Sequence, residues 1–230
     1  MPFAGGGASL FSSWNSLSPV AEALPVQLPG RENRLRERPF TSWDELLSAM
    51  VKTLGLEMYG AWAVFGHSFG GLLAYEFARA AVRDGYQQPE AVFVSACRPP
   101  DVTTRFSRTL YTLSDDELVA ELENLGASPN PVLADPETRK IVLPSVRADI
   151  QLCETYSHVS DDVLEAPIIA FSGDNDPHAD GAEMRRWREF TPGEFFQYTV
   201  PGGHFFLKSQ SNLLASHVKT RLQSLWTGSW

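Results

Sequence analysis

The stretch Trp62-Ala63-Val64-Phe65-Gly66-His67-Ser68-Phe69-Gly70-Gly71-Leu72 decides the fold. Its first four residues form a short apolar run that reads as a buried strand, and from Leu72 to Val82 the apolar positions recur at helical spacing. Between them stands Gly66-His67-Ser68-Phe69-Gly70, a match to G-x-S-x-G. That pattern, directly after a strand and before a helix, puts a serine on a sharp turn with its hydroxyl clear of the sheet edge. Two glycines and a serine at fixed offsets arise readily by chance. The position between strand and helix is what gives them weight.

Working outward, further strands are predicted at Leu24–Leu28, Ala91–Ala96, Pro167–Ser172 and Phe195–Val200, each leading into Gly, Pro or Asp. Helical patterns cover Ser42–Leu54, Leu72–Val82, Glu183–Phe190 and Leu213–Leu225, with Ser42 and Glu45 spaced as a capping box. Strands alternating with helices predict an α/β fold: a doubly wound, mainly parallel sheet. The connection from Ala96 to Pro167, about seventy residues, is far longer than a crossover helix needs. Ser114–Gly126 and Glu137–Tyr156 look helical within it. The chain therefore divides into a core of residues 1–98 and 166–230 and a helical insertion of residues 99–165.

With 230 residues, 43% hydrophobic and 20% charged, the chain can bury one full core without staples. Collagen-like, disordered and mini-protein classes are excluded. A net charge of −9 works against binding to phosphate backbones, so no nucleic acid partner is expected. The two cysteines, Cys97 and Cys153, support no disulfide framework, and the expected location is cytoplasmic. Met1–Gly7 has neither the basic nor the apolar region of a signal peptide. The longest uncharged apolar stretch, Tyr59–Tyr75, is broken by Gly66, His67, Ser68, Gly70 and Gly71, too short and interrupted for a membrane span.

A serine nucleophile needs a base, and the base needs an orienting third group. In this architecture the partners follow in the order Ser, acid, His. Of the downstream histidines, His158, His178, His204 and His217, His204 alone lies in the loop directly after the last strand, Pro201-Gly202-Gly203-His204. It is the expected general base, whereas His158 and His217 read as solvated surface histidines. The acid belongs in Gly173-Asp174-Asn175-Asp176-Pro177. Both aspartates are candidates that local sequence does not separate on chemistry alone; many hydrolases of this architecture place the acid three residues after the glycine, which favours Asp176 over Asp174. A calcium loop starting at either would need Glu at its twelfth position, where Arg185 and Trp187 stand, so no metal is implied. Two backbone N–H donors must meet the charge that builds on the substrate carbonyl oxygen. Phe69 would supply one, and Phe3 or Ala4, in the Pro2–Gly7 glycine-rich loop, the other.

Several segments together resemble one family, the type II (stand-alone) thioesterases of polyketide and nonribosomal peptide assembly lines, within the α/β-hydrolase superfamily. They are Pro2-Phe-Ala-Gly-Gly6, Gln27-Leu-Pro-Gly-Arg-Glu32 with Arg34, Gly66-His-Ser-Phe-Gly70, Leu143-Pro-Ser-Val-Arg-Ala-Asp149 with Glu154 and Tyr156, and Gly203-His-Phe-Phe-Leu207. The resemblance implies an enzyme that hydrolyses stalled or aberrant acyl groups from the phosphopantetheine arm of acyl or peptidyl carrier proteins. It implies Ser68 as nucleophile, Asp176 as acid and His204 as base, with no cofactor beyond the pantetheine its substrate carries. Residues 99–165 would be a helical lid, and Leu118, Leu122, Leu125 and Leu152 candidates to line an acyl tunnel. Arg31, Arg34, Arg36 and Arg38, four positive charges in eight residues, are a candidate docking surface for acidic carriers, with a solvated loop as the competing reading.

One departure stands out. The family feeds its Pro-x-Ala-Gly-Gly loop from a hydrophobic strand, of which Met1 holds the final position here. The strand would lie between Leu24–Leu28 and Trp62–Phe65. Without it, neighbours stand about 9 to 10 Å apart where pairing needs about 4.8 Å, and oxyanion donors at Phe3 or Ala4 would lack a rigid anchor. A misassigned start, a truncation and a substitute element are the open explanations, and upstream extension is expected to reveal a short apolar strand. Alternative functions are a general carboxylesterase or acyltransferase with the same triad, and a catalytically silent carrier-binding remnant.

Overall fold

Among the described residues, four apolar runs form strands: β1 Ala63–His67, β2 Ala91–Ser95, β3 Ile168–Gly173 and β4 Phe195–Val200. The computed structural model describes residues 1–102, 109–126, 133, 135–159 and 164–227. All four strands pair in parallel in the order β1-β2-β3-β4, with Ala63 opposite Ala91, Val92 opposite Ile168 and Ile168 opposite Phe195. β2 and β3 are buried end to end, which is why they read as unbroken apolar runs and not as alternation.

Both faces of the sheet are covered. On one, α1 (Trp43–Leu54) packs on α2 (Phe69–Arg83), and Leu46, Leu73, Val92, Val94, Ile168 and Trp187 fill the space between helices and sheet. On the other, a 3-10 segment, Ala8–Leu17, sets Phe11 and Trp14 against Phe65 beside the C-terminal helix. Between β2 and β3 lie α3 (Asp115–Asn124) and α4 (Pro136–Thr155), joined by a third cluster around Leu118, Leu143 and Ile150. The last helices are α5 (Gly181–Arg185) and α6 (Phe206–Thr227), the latter kinked at Gln210. Of the expected insertion, residues 103–108, 127–132, 134 and 160–163 lie outside the described residues. Among the described residues, no helix is long and apolar enough to cross a membrane.

Several sequence expectations shift. Ser42 does cap α1, its Oγ accepting from Glu45 N, and Ser114 and Glu117 form a full capping box at α3. Helix α2 begins at Phe69, directly after Ser68, and not at Leu72. The predicted helix Glu183–Phe190 is the end of α5 continued by a 3-10 turn. Leu24–Leu28 is not a strand, because it has no neighbouring strand to pair with.

That last result meets the unusual N-terminus. Met1 N donates to Phe65 O at 2.7 Å, and Met1 O accepts from His67 N at 3.1 Å, a single rung of parallel ladder beside β1. Further along this edge of β1 lies a groove of about 640 Å³. Met58, Trp62, Val64 and Phe77 border it from one sheet face, and Trp14, Phe65, Phe93 and Val218 from the other.

Candidate active site

The carboxyl ends of parallel strands are where an α/β sheet gathers chemistry, and β1, β3 and β4 all end at one place. At the end of β1, Ser68 adopts φ 55° and ψ −123°, a conformation costly for a residue with a Cβ and concentrated at functional sites. The turn is held by Ser68 N donating to Ser95 O at 2.7 Å and Gly71 N to Ser68 O at 2.8 Å. It also demands its glycines. A Cβ on Gly66 would stand 1.7 Å from Gly70 O, and one on Gly70 would stand 2.4 Å from the carbonyl oxygens of Met1 and Pro2.

Ser68 Oγ lies 2.8 Å from His204 Nε2, and His204 Nδ1 lies 2.9 Å from Asp176 Oδ2. Since a carboxylate only accepts, Nδ1 carries the proton and Nε2 is left to accept from the serine hydroxyl. Such a relay can deprotonate a serine as it attacks. Asp176 is buried, and burial alone would push its carboxyl up. The hydrogen bond and charge of His204, with the N–H groups of His178 and Ala179 on Oδ1, outweigh that and hold it below the usual carboxylate range.

Asp174, the other candidate, is exposed and accepts from Gly202 N at 2.8 Å, so it fastens the loop that carries His204 without touching the imidazole ring. Phe69 N–H stands at the start of α2. Neither it nor the N–H of Phe3 or Ala4 has a hydrogen-bond acceptor among the described residues. The Phe3 ring packs edge-on against Phe205, centroids 5.1 Å apart.

The residue that sequence reasoning passed over is His67. It is fully buried, with Nδ1 2.8 Å from Ser95 Oγ and Nε2 2.8 Å from the carbonyl oxygen of His204. A carbonyl accepts, so Nε2 carries the proton and the ring is neutral. Burial first, and the nearby His204 second, lower its pKa to about 3. His67 thus holds the backbone of the histidine loop. Its place in the motif's variable position gave no signal of this.

Other candidates are corrected. His158 is half-buried, within 3.2 Å of Tyr156 Oη and packed on Phe190, and His217 packs on Tyr198 with ring centroids 4.7 Å apart. Neither is a freely solvated histidine. Leu118 and Leu152 are buried in apolar clusters, while Leu125 borders a cavity of about 260 Å³ shared with His178, His204 and Phe205. Arg31 is only 5% exposed and Arg34 pairs with Glu37 at 2.6 Å, which leaves Arg36 and Arg38 as the exposed, unburied part of the basic patch. Among the described residues, no group of His, Cys, Asp or Glu is placed to hold a metal ion.

Residues 1–222 match the family model described as a thioesterase domain. The chain belongs to the thioesterase family. The gramicidin S biosynthesis protein GrsT of Aneurinibacillus migulanus is 36% identical over 208 residues, 90% of this chain and 81% of that protein. The thioesterase RedJ, from the prodiginine biosynthetic pathway in Streptomyces coelicolor, is 37% identical with a TM-score of 0.88, covering 95% of this chain and 87% of its own. BorB, a type II thioesterase from the borrelidin biosynthetic cluster, is 37% identical with a TM-score of 0.86, covering 96% of this chain and 90% of its own. The expected resemblance to type II thioesterases and the α/β-hydrolase fold are thereby borne out. This thioesterase is a hydrolase acting on thioesters.

Proposed function

We propose that the chain removes acyl groups from the phosphopantetheine arm of acyl or peptidyl carrier proteins in polyketide or nonribosomal peptide biosynthesis, clearing stalled or aberrant chains. The observation that carries the reading is the unbroken line from Ser68 Oγ through His204 to Asp176, 2.8 and 2.9 Å. The names and pathways of relatives at 36–37% identity supply the substrate class.

In this mechanism Ser68 Oγ attacks the thioester carbonyl carbon while His204 Nε2 takes its proton. Asp176 keeps His204 in the productive tautomer and stabilises the imidazolium that forms. The carbonyl oxygen gains negative charge, which the N–H of Phe69 and that of Phe3 or Ala4 receive. Collapse breaks the carbon–sulfur bond, and His204 returns its proton to the pantetheine sulfur. Thiols ionise near about pH 8.5, so this departure needs less help than that of an alkoxide or amine. His204 then deprotonates water for attack on the acyl-serine ester, and the free acid leaves as the proton passes back to Ser68.

We read residues 99–165 as the lid over this site. Supporting that, Asn124–Gly126 at the end of α3 border the same cavity as His204. A fluorophosphonate probe tests the nucleophile: one adduct at Ser68 is expected, absent in Ser68→Ala. No adduct on the wild-type chain would favour the silent carrier-binding reading.

A further inference from the structure

The glycine-rich loop, despite the groove behind it, is held from the side opposite the sheet. Asp149, in the middle of α4, accepts from Gly5 N on Oδ2 at 2.8 Å. Arg31 approaches the same carboxylate with both arms of its fork, Nη1 to Oδ2 at 2.6 Å and Nη2 to Oδ1 at 3.0 Å. Its Nη1 also donates to Gly6 O at 3.3 Å and its Nε to Pro29 O at 3.3 Å. Gln27 completes the frame, accepting from Ala8 N at 2.6 Å and donating to Arg31 O at 2.8 Å. Arg31 is 5% exposed and Asp149 2%.

A buried ion pair is weak as a source of stability, since desolvating two charges offsets most of their attraction. What this pair does is geometric. The bonds from Asp149, Arg31 and Gln27 engage Gly5, Gly6 and Ala8, and Gly6 N donates to Phe3 O at 2.8 Å. The N–H groups of Phe3 and Ala4 are left outside this set, and the preceding carbonyl oxygens of Met1 and Pro2 lie against Gly70 in the turn that carries Ser68. A donor for a developing charge must be fixed before the reaction, because reorienting it during the reaction forfeits its effect.

We infer that Arg31 and Asp149 are positioning residues for the oxyanion loop, fastening it to α4 so that the Phe3 or Ala4 N–H is fixed for the transition state. This rests on the reading of that loop as half of the oxyanion hole. Neither residue touches the reacting atoms, so both act through the loop.

The test must separate positioning from folding. Removing one partner strands a buried charge and destabilises, whereas replacing both with apolar residues of similar size is often neutral. The double variant Arg31→Met/Asp149→Leu is therefore compared with Asp149→Asn, Arg31→Lys and wild type for melting temperature, kcat and KM on an acyl-pantetheine thioester. Affinity for a boronic acid that forms a tetrahedral adduct on Ser68 is measured alongside. The expected result is a double variant that melts close to wild type, with kcat down roughly 10- to 100-fold, a fraction of the loss for deleting an oxyanion donor outright. KM should move less than about threefold, and boronate affinity should fall in step with kcat.

A folded double variant with wild-type kcat and boronate affinity would overturn the inference, as would equal losses in kcat and KM. If the double variant melts below the assay temperature, Arg31→Lys, which keeps the charge and loses the fork, decides on the same readouts. Absence of Ser68-dependent hydrolysis in the wild-type chain would instead overturn the proposed function itself.

Discussion

At the scale of residues, the two aspartates after β3 separate by what each touches. Asp176→Asn should cut kcat by about 10³- to 10⁴-fold by disturbing the His204 tautomer, while Asp174→Ala, which loses the bond from Gly202 N, should stay within about tenfold of wild type. Steady-state hydrolysis of a small thioester checks both. His67 makes a prediction about pH. Its folded pKa of about 3 lies below the ordinary value of 6.5, so between those limits the unfolded chain binds a proton that the native state refuses. Stability contributed by neutral His67 is whole above about pH 6.5 and is lost as pH falls toward 3, by up to about 1.4 kcal/mol per pH unit. Urea melts at pH 6.5 and 5 should show that slope reduced in His67→Gln. Ser68, His204 and Asp176 were legible because each falls at the end of a readable strand. His67 was not, because its two partners, Ser95 and His204, come from other strand ends.

At the scale of elements, what local sequence encodes was read well and what depends on distant partners was not. Ser114 and Glu117 announce α3 by their own side chains. Phe69-Gly70-Gly71 hides the true start of α2, because two glycines are poor helix formers and the strained Ser68 turn, not a capping side chain, begins the helix. Leu24–Leu28 carries strand-like residues without a strand to receive them. The anchor of the glycine-rich loop was missed for the same reason, since Arg31 and Asp149 are separated by 118 positions. Helix α4 is tied at its C-terminal end too, where Tyr156 Oη donates to Glu76 on α2 at 2.6 Å and Trp43 Nε1 to Leu152 O at 2.8 Å. It is a fixed floor, with α3 the element beside the cavity. Leu118 fastens α3 to that floor, so Leu118→Ala should cost about 2–5 kcal/mol of unfolding free energy, read from urea denaturation. A loss below about 1 kcal/mol would place Leu118 outside a packed core.

At the scale of the molecule, an acidic chain gathers Ser68, His204 and Asp176 where β1, β3 and β4 end, with a separate apolar groove along the outer edge of β1. The groove, about 640 Å³, is lined by neither Ser68 nor His204, whereas the cavity of about 260 Å³ borders His204. The basic patch is reduced to Arg36 and Arg38 by the burial of Arg31 and the pairing of Arg34. Charge reversal at those two should therefore raise KM for carrier-bound substrates and leave small thioesters unchanged if the patch receives acidic carriers; equal effects on both would remove that role. The central claim is Ser68-dependent hydrolysis of a carrier-bound thioester. It is tested most directly by measuring free acid released from an acyl-pantetheinyl carrier protein by wild type and Ser68→Ala, beside an oxygen ester of equal acyl length. The account predicts preference for the carrier thioester and at least a roughly 10³-fold loss in Ser68→Ala. Preference for the oxygen ester, or release that survives in Ser68→Ala, would contradict it.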